Sequence, residues 1–171
     1  MADLEAVSDP RVRPIGPADA DRVRTLQTHL RRPSPDLLEY GVAVGAGFVS
    51  VAGGGSDGST LDESGSNAIG SGDGRVPSDA DRVVGYALPV DAPTRSGCHL
   101  AELVVAPDFR RQGRARGLLA AVVDAAAGPV TLQAHPDNDA ALALYEACGF
   151  DLVDRRPDAY ADGDALVLRR E

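Results

Sequence analysis

The 171-residue chain carries 17 basic side chains, all of them arginine, against 26 acids, for a formal net charge of −9. That length suits one domain with a sizeable core. An acid excess this large excludes nucleic acid held on a broad basic face.

No apolar run is long enough to cross a membrane, and the opening MADLEAVSDPRVR lacks the basic start and apolar centre of a signal peptide. A cytoplasmic protein with no membrane partner is expected. The lysine-free, acid-rich composition matches the bias of salt-loving microorganisms, and equally an arginine-biased genome. Cys98 and Cys148 have no neighbours at metal-ligand spacing, so free thiols and no metal are expected.

In chain order, residues 12–15 read as a short strand closed by Gly16-Pro17. A helix is predicted over about 18–32, with Val23, Leu26 and Leu30 on one face, ended by Pro33 and Pro35. Residues 35–40 allow one or two more helical turns, and 42–52 and 83–90 read as strands. Between those strands, 53–82 holds eight of the 19 glycines, six serines and six acids, with almost nothing large and apolar. Such a stretch cannot bury enough surface to offset its ordering entropy, which predicts a mobile solvated loop. An acceptor-site lid or a partner-binding segment is the functional alternative.

The run His99 to Leu119, HLAELVVAPDFRRQGRARGLL, begins as an apolar strand over 100–105 cut off at Pro107. It ends as a helix whose face carries Leu118, Leu119, Val122, Val123 and Ala126. From Pro107 to Gly117 four arginines outweigh Asp108, a local charge of +3 in an acidic chain. The first amides of a helix have no intrahelical partner, and the helix dipole adds to their pull on an anion. Small Gly113 and Ala115 let a bulky anion approach the backbone.

After a Gly128-Pro129 turn, 130–134 reads as a strand. Pro136-Asp137-Asn138-Asp139 then supplies capping residues for a helix with Ala141, Leu144, Tyr145 and Cys148 on one face and Gly149 as its C-terminal cap. Residues 150–156 and 165–169 read as two strands around a polar turn. The alternation implies a mixed sheet with helices on both faces.

Arg110, Gly113 and Ala115 match the pattern Arg/Gln, two residues, Gly, one residue, Gly/Ala. Asn138, Ala141, Leu144-Tyr145 and Gly149-Phe150 match a second block. Together, in this order and separation, they resemble the GNAT superfamily of acetyl-CoA-dependent N-acetyltransferases. The resemblance covers nearly the whole chain except 53–82, where the family has a tight hairpin.

It implies an α/β (α+β) fold: a mostly antiparallel sheet of six to seven strands in a single domain over 1–171, carrying 53–82 as an insertion. The resemblance further implies acetyl-CoA as cosubstrate, held at Arg110, Arg111, Gln112, Gly113, Arg114, Ala115 and Arg116, with Asn138 touching it. Backbone amides near Leu103, Val104 and Val105 would stabilise the oxyanion. Tyr145 would protonate the departing thiolate, although its spacing equally permits a core ring. Glu102, the only charge in its strand, could draw a proton from the incoming ammonium or simply face solvent.

The tail is loosely similar to the branch that acetylates N-terminal alanine of ribosomal proteins. Here Ala159 precedes Tyr160, and Gln133, which cannot take a proton, stands where that branch has a glutamate base. His135 and His29 are other candidate bases. An α-amine with pKa about 7.7 to 8.0 needs less help from a base than a lysine near 10.4. The expected acceptor is therefore the α-amine of a peptide N-terminus, or a small-molecule amine, ahead of lysine. A non-catalytic acyl-CoA-binding or sensing module is the competing reading. A nucleotide-binding phosphate loop is disfavoured, because no Lys-Ser/Thr follows Gly113. The oligomeric state is left open, a homodimer included.

Overall fold

The computed structural model describes residues 9–53, 81–91 and 97–171. Its strands are β1 (Val12–Pro14), β2 (Phe48–Val51), β3 (Val83–Asp91), β4 (Cys98–Val105), β5 (Val130–Ala134), β6 (Asp151–Tyr160) and β7 (Gly163–Arg170). The helices are α1 (Ala20–Gln27), α2 (Pro35–Val44), α3 (Arg114–Ala125) and α4 (Asp139–Ala147). They build a seven-stranded sheet in the order β1-β2-β3-β4-β5-β7-β6. Every pairing is antiparallel except β4 with β5.

Two cores result, one on each face. Leu118, Leu119 and Val122 of α3 pack with Leu100, Leu132 and Phe150 on one side. Val23 and Leu26 of α1 and Leu38 of α2 pack with Tyr86, Leu88 and Val104 on the other. Side chains alternate across a strand, so β3 serves both: Tyr86 and Leu88 face α1 and α2, and Ala87 faces α3.

Several element boundaries differ from the sequence reading, each for a physical reason. The helix predicted to Arg32 stops at Gln27, and single turns carry the chain on, with the Leu30 amide bonded to the Gln27 carbonyl at 3.0 Å. Gln27 and the Ser34 amide are both drawn to Glu102, which bends the chain here. Residues 42–44, predicted as strand, instead complete α2, and β2 begins only at Phe48. Gly45, at φ 71°, ends that helix in a left-handed conformation that glycine adopts without strain. Strand β6 runs to Tyr160 instead of 156 because a bulge absorbs the polar residues that read as a turn. The expectation of a mobile loop at 53–82 lies, apart from residues 53, 81 and 82, outside the described residues.

One irregularity shapes everything that follows. Pro89 has no N–H to give a ladder, and there the β3–β4 register slips, pairing Leu88 with Glu102 but Pro89 with Leu100. Ala101 is the unmatched residue. Without that slip Leu100, Glu102 and Val104 would share one face. With it, Leu100 faces α3 while Glu102 and Val104 face α1 and α2.

Candidate active site

The only parallel pair in the sheet comes apart. Strands β4 and β5 are matched from Cys98/Val130 to Leu100/Leu132; beyond that β4 continues to Val105 with no partner on that side. The parting leaves one edge of β4 without a strand partner among the described residues, including the Leu103 to Val105 segment expected to stabilise an oxyanion. It opens into a groove of about 790 Å³ whose walls include Glu102, Leu103, Val105, Tyr145, His135 and Tyr160. Val104 does not share that wall, since its side chain is buried in the α1/α2 core.

One end of the groove is the mouth of α3. Gly113 caps the helix at φ 75°, a left-handed conformation open to glycine, and Arg111 before it is also at positive φ, 62°. The first intrahelical bond runs from the Gly117 amide to the Gly113 carbonyl at 3.0 Å. The amides of Arg114, Ala115 and Arg116 therefore have no backbone partner among the described residues. Three adjacent N–H groups without a backbone partner, at the positive end of a 12-residue helix, have the chemistry that suits an anion.

The four arginines split in role. Arg111 and Arg116 are exposed at this mouth. Arg110, also exposed, folds back, donating from Nε to the Val105 carbonyl at 3.0 Å. Arg114 is 5% exposed and turned onto β2, where its guanidinium donates to Ser50 Oγ (3.1 Å), the Ala52 carbonyl (2.8 Å) and the Val51 carbonyl, and covers the Phe109 ring. Arg114, named with the others from the sequence, turns to the groove its main-chain amide, while its side chain staples α3 to the end of β2. The Gln112 side chain is likewise engaged away from the groove, with Asp108 and Arg114.

Across the groove lies Tyr145, 8% exposed and set edge-on against Phe150 at 6.0 Å. The residues around it explain its placement. Asn138 caps α4, its Oδ1 accepting from the Ala141 amide at 3.3 Å. At the other end the Gly149 amide bonds the Glu146 carbonyl and the Phe150 amide bonds the Tyr145 carbonyl, both at 3.0 Å. With Gly149 at φ 80° this is a Schellman ending, and Phe150 against Tyr145 is the apolar contact that accompanies it. The Gly-Phe pair in the sequence is thus what fixes the tyrosine. Burial, with smaller contributions from Tyr160 and Cys148, pushes the Tyr145 phenol up to about 12. It holds its proton throughout the neutral range.

The far wall carries Glu102, only 3% exposed, which rules out the solvent-facing alternative. Gln27 Nε2 donates to both its oxygens (3.0 and 3.1 Å), the Ser34 amide to Oε1 (2.7 Å) and the Tyr86 hydroxyl to Oε2 (2.7 Å). Burial and the adjacent carboxylate raise the Tyr86 pKa well above the ordinary phenol range, so it serves as donor. None of these partners is adjacent to Glu102 in the chain, and sequence reasoning missed all three.

His135, at 5% exposed, is another residue more buried than a lone surface histidine. Its Nδ1 accepts from the Asp137 amide at 3.1 Å, and its buried Nε2 has no hydrogen-bond partner among the described residues and lies 3.5 Å from Asp162 Oδ1. Gln133 also lines the groove. Arg31 pairs with Asp162 at 3.2 Å and Arg32 donates to the Ala159 carbonyl at 2.6 Å, tying the segment after α1 to the β6–β7 turn over this end.

Residues 63–150 match the Acetyltransferase (GNAT) family. The chain belongs to that family. A mycothiol acetyltransferase of Clavibacter sepedonicus is 56% identical over 52 residues, 30% of this chain and 17% of that protein. The N-alpha-acetyltransferase RimI of Mycobacterium tuberculosis is 41% identical over 70 residues, 39% of this chain and 44% of that one. An uncharacterised Mycobacterium leprae protein is 36% identical over 99 residues, 54% of this chain and 27% of its own length. The chain spans under half the length of these curated relatives.

Among solved structures, the GNAT fold here is similar to Arabidopsis thaliana NAA60 with a bisubstrate analogue, at TM-score 0.68 and 20% identity over 93% of this chain and 95% of that one. It is also similar to the ribosomal-protein-S18-alanine N-acetyltransferase of Escherichia coli, at TM-score 0.64 and 19% identity over 92% and 90%. Among the described residues no helix is long and apolar enough to cross a membrane, and no cluster of His, Cys, Asp or Glu could hold a metal ion.

Proposed function

We propose that this protein moves an acetyl group from acetyl-CoA to a primary amine by direct attack. The observation that carries the reading is a convergence on one groove: where β4 and β5 part, the unpaired amides of α3 lie at one end, with Tyr145 and Glu102 on opposing walls. The groove fits the cosubstrate, because its anion site and its positive rim, Arg110, Arg111 and Arg116, suit a diphosphate. Acetyl-CoA supplies an activated acyl thioester.

This chain's residues would then act as follows. The α3 amides and the exposed arginines Arg110, Arg111 and Arg116 hold the diphosphate, with Asn138 beside it. Strand amides in the Leu103 to Val105 segment receive the charge that develops on the acyl oxygen. Tyr145, still protonated, donates to the departing thiolate. Glu102, oriented by its three donors, attracts the acceptor's ammonium and takes its proton directly or through water. The described strands form one continuous sheet, which supports a single domain carrying an insertion.

The acceptor is an α-amine, on a peptide N-terminus or a small molecule, ahead of lysine. Gln133 offers no second base, and an α-amine is roughly one-tenth neutral at pH 7 where a lysine amine is neutral about once in a few thousand molecules. CoA release from acetyl-CoA across a panel of amines, with mass spectrometry of acetylated peptides, tests this. Modified N-termini or small amines are expected. Lysine modification with untouched termini overturns the acceptor class, and CoA binding without turnover leaves only the binding-module reading.

A further inference from the structure

We infer that Arg11, just before β1 and far from either signature block, is a positioning residue for the diphosphate site; this rests on the reading of the α3 mouth as that site. Its Nη1 donates to the Gln112 carbonyl at 3.3 Å, and its Nη2 lies 4.0 Å from where a Cβ on Gly113 would sit. A trans peptide is planar, with its C=O and the following N–H pointing in opposite directions. A guanidinium holding the Gln112 oxygen on one side therefore turns the Gly113 amide to the other. That amide, like the three after it, has no backbone partner among the described residues. Arg11 thus lengthens the row of aimed donors by one, and does so where Gly113 is free of side-chain restraint.

Arg11 is itself held rigidly. Asp9 accepts from its Nε at 2.9 Å, its Nη2 at 2.7 Å and its main-chain amide at 3.0 Å. The Asp9 carboxylate in turn rests on α3 at Gly117, where any Cβ would lie 2.6 Å from Oδ2. The Val51 amide bonds the Arg11 carbonyl at 2.8 Å, fastening the segment to β2. Strand β2 also receives the Arg114 guanidinium. The motif turn is therefore gripped from both sides by residues outside the motif, and glycine at 117 is what admits the Asp9 half of the clamp.

A donor that lacks the diphosphate separates positioning from mere support of the fold. S-acetylpantetheine carries the thioester without the diphosphate, so kcat/KM is measured for both donors with one amine. Arg11→Ala is expected to lower kcat/KM for acetyl-CoA about tenfold through KM, leaving S-acetylpantetheine within a factor of about two. Asp9→Asn is expected to do the same more weakly, and stands in if Arg11→Ala does not fold. Equal loss with both donors, or no loss with either, overturns the inference. A wild-type protein that neither binds CoA nor turns over acetyl-CoA overturns the proposed function instead.

Discussion

The two faces of the sheet build their halves of the site from different kinds of residue. On the α3/α4 face the donors are backbone groups of one short run, 113–116, and the tyrosine is fixed by caps within a dozen positions of itself. On the α1/α2 face a single carboxylate gathers Gln27, Ser34 and Tyr86 from three separate elements. Backbone donors tolerate many side chains, so the first half can stay constant while sequence drifts. The second half changes whenever one of its distant contributors does, so under the proposed function it is the half in which acceptor choice would vary.

The sharpest way to break that contrast is Tyr145→Phe. Losing a positioned acid is expected to lower kcat by roughly a hundredfold or more. Affinity for CoA should stay within a factor of about two, because α3 is untouched. With burial pushing the phenol up to about 12, the wild-type rate should show no fall attributable to Tyr145 through the neutral and mildly alkaline range. A variant with unchanged kcat would leave Tyr145 as only the core ring its spacing also permits.

Next in size is Arg114→Ala, compared with Arg111→Ala. The first strips charged donors from Ser50 and the Val51 and Ala52 carbonyls in a buried setting and is expected to cost about 2–3 kcal/mol. In a chain of this length that is a fall in Tm of roughly 5–10 °C. Arg111→Ala should leave Tm alone and weaken CoA binding about tenfold, the worth of one charge-assisted contact. If the two variants behave alike, the division of labour among the arginines is wrong.

Glu102→Gln sharpens the acceptor half. Its new amide would face donors on Gln27, Ser34 and Tyr86, leaving at least one buried group unmet at a cost of about 1–3 kcal/mol. Turnover should fall with KM for acetyl-CoA unchanged. A shift confined to the acetyl-CoA KM would place Glu102 in the wrong half.

The same contrast sets what was legible in the sequence. Both signature blocks are local, so α3, α4 and β5 could be read from capping residues and periodicity, and β5 falls on 130–134 as expected. Glu102 could be singled out as a lone charge among apolar neighbours, but its orientation depends on a register slip at Pro89, a signal present in the sequence and not used. Its partners, and the reach of Arg11 to Gln112 across 101 residues, depend on topology that no local pattern carries. Where α1, α2 and β6 differ from expectation, the end was decided by a tertiary bond or by one glycine or bulge, each stronger than the propensity of the run.

The smallest expected effect tests the hinge between the halves, the last stretch where β4 and β5 stay paired. His99 sits there, its Nδ1 3.0 Å from Thr131 Oγ1. Burial, and then the positive charge of Arg156, hold its pKa below the ordinary histidine value of about 6.5. In the window between the folded and unfolded values the unfolded chain binds more protons, so stability rises with pH. The contribution is complete above about pH 6.5 and is lost as pH falls through the folded value, by at most about 1.4 kcal/mol per pH unit. Asp9, whose carboxyl the Arg11 guanidinium holds below the ordinary carboxylate range, acts only in a more acidic window. Denaturant midpoints for wild type should therefore fall from pH 6.5 toward 5, and His99→Gln should flatten that slope. An unchanged slope would mean that His99 opens to water before the rest of the sheet, and that the parting of β4 and β5 begins closer to Cys98 than Leu100.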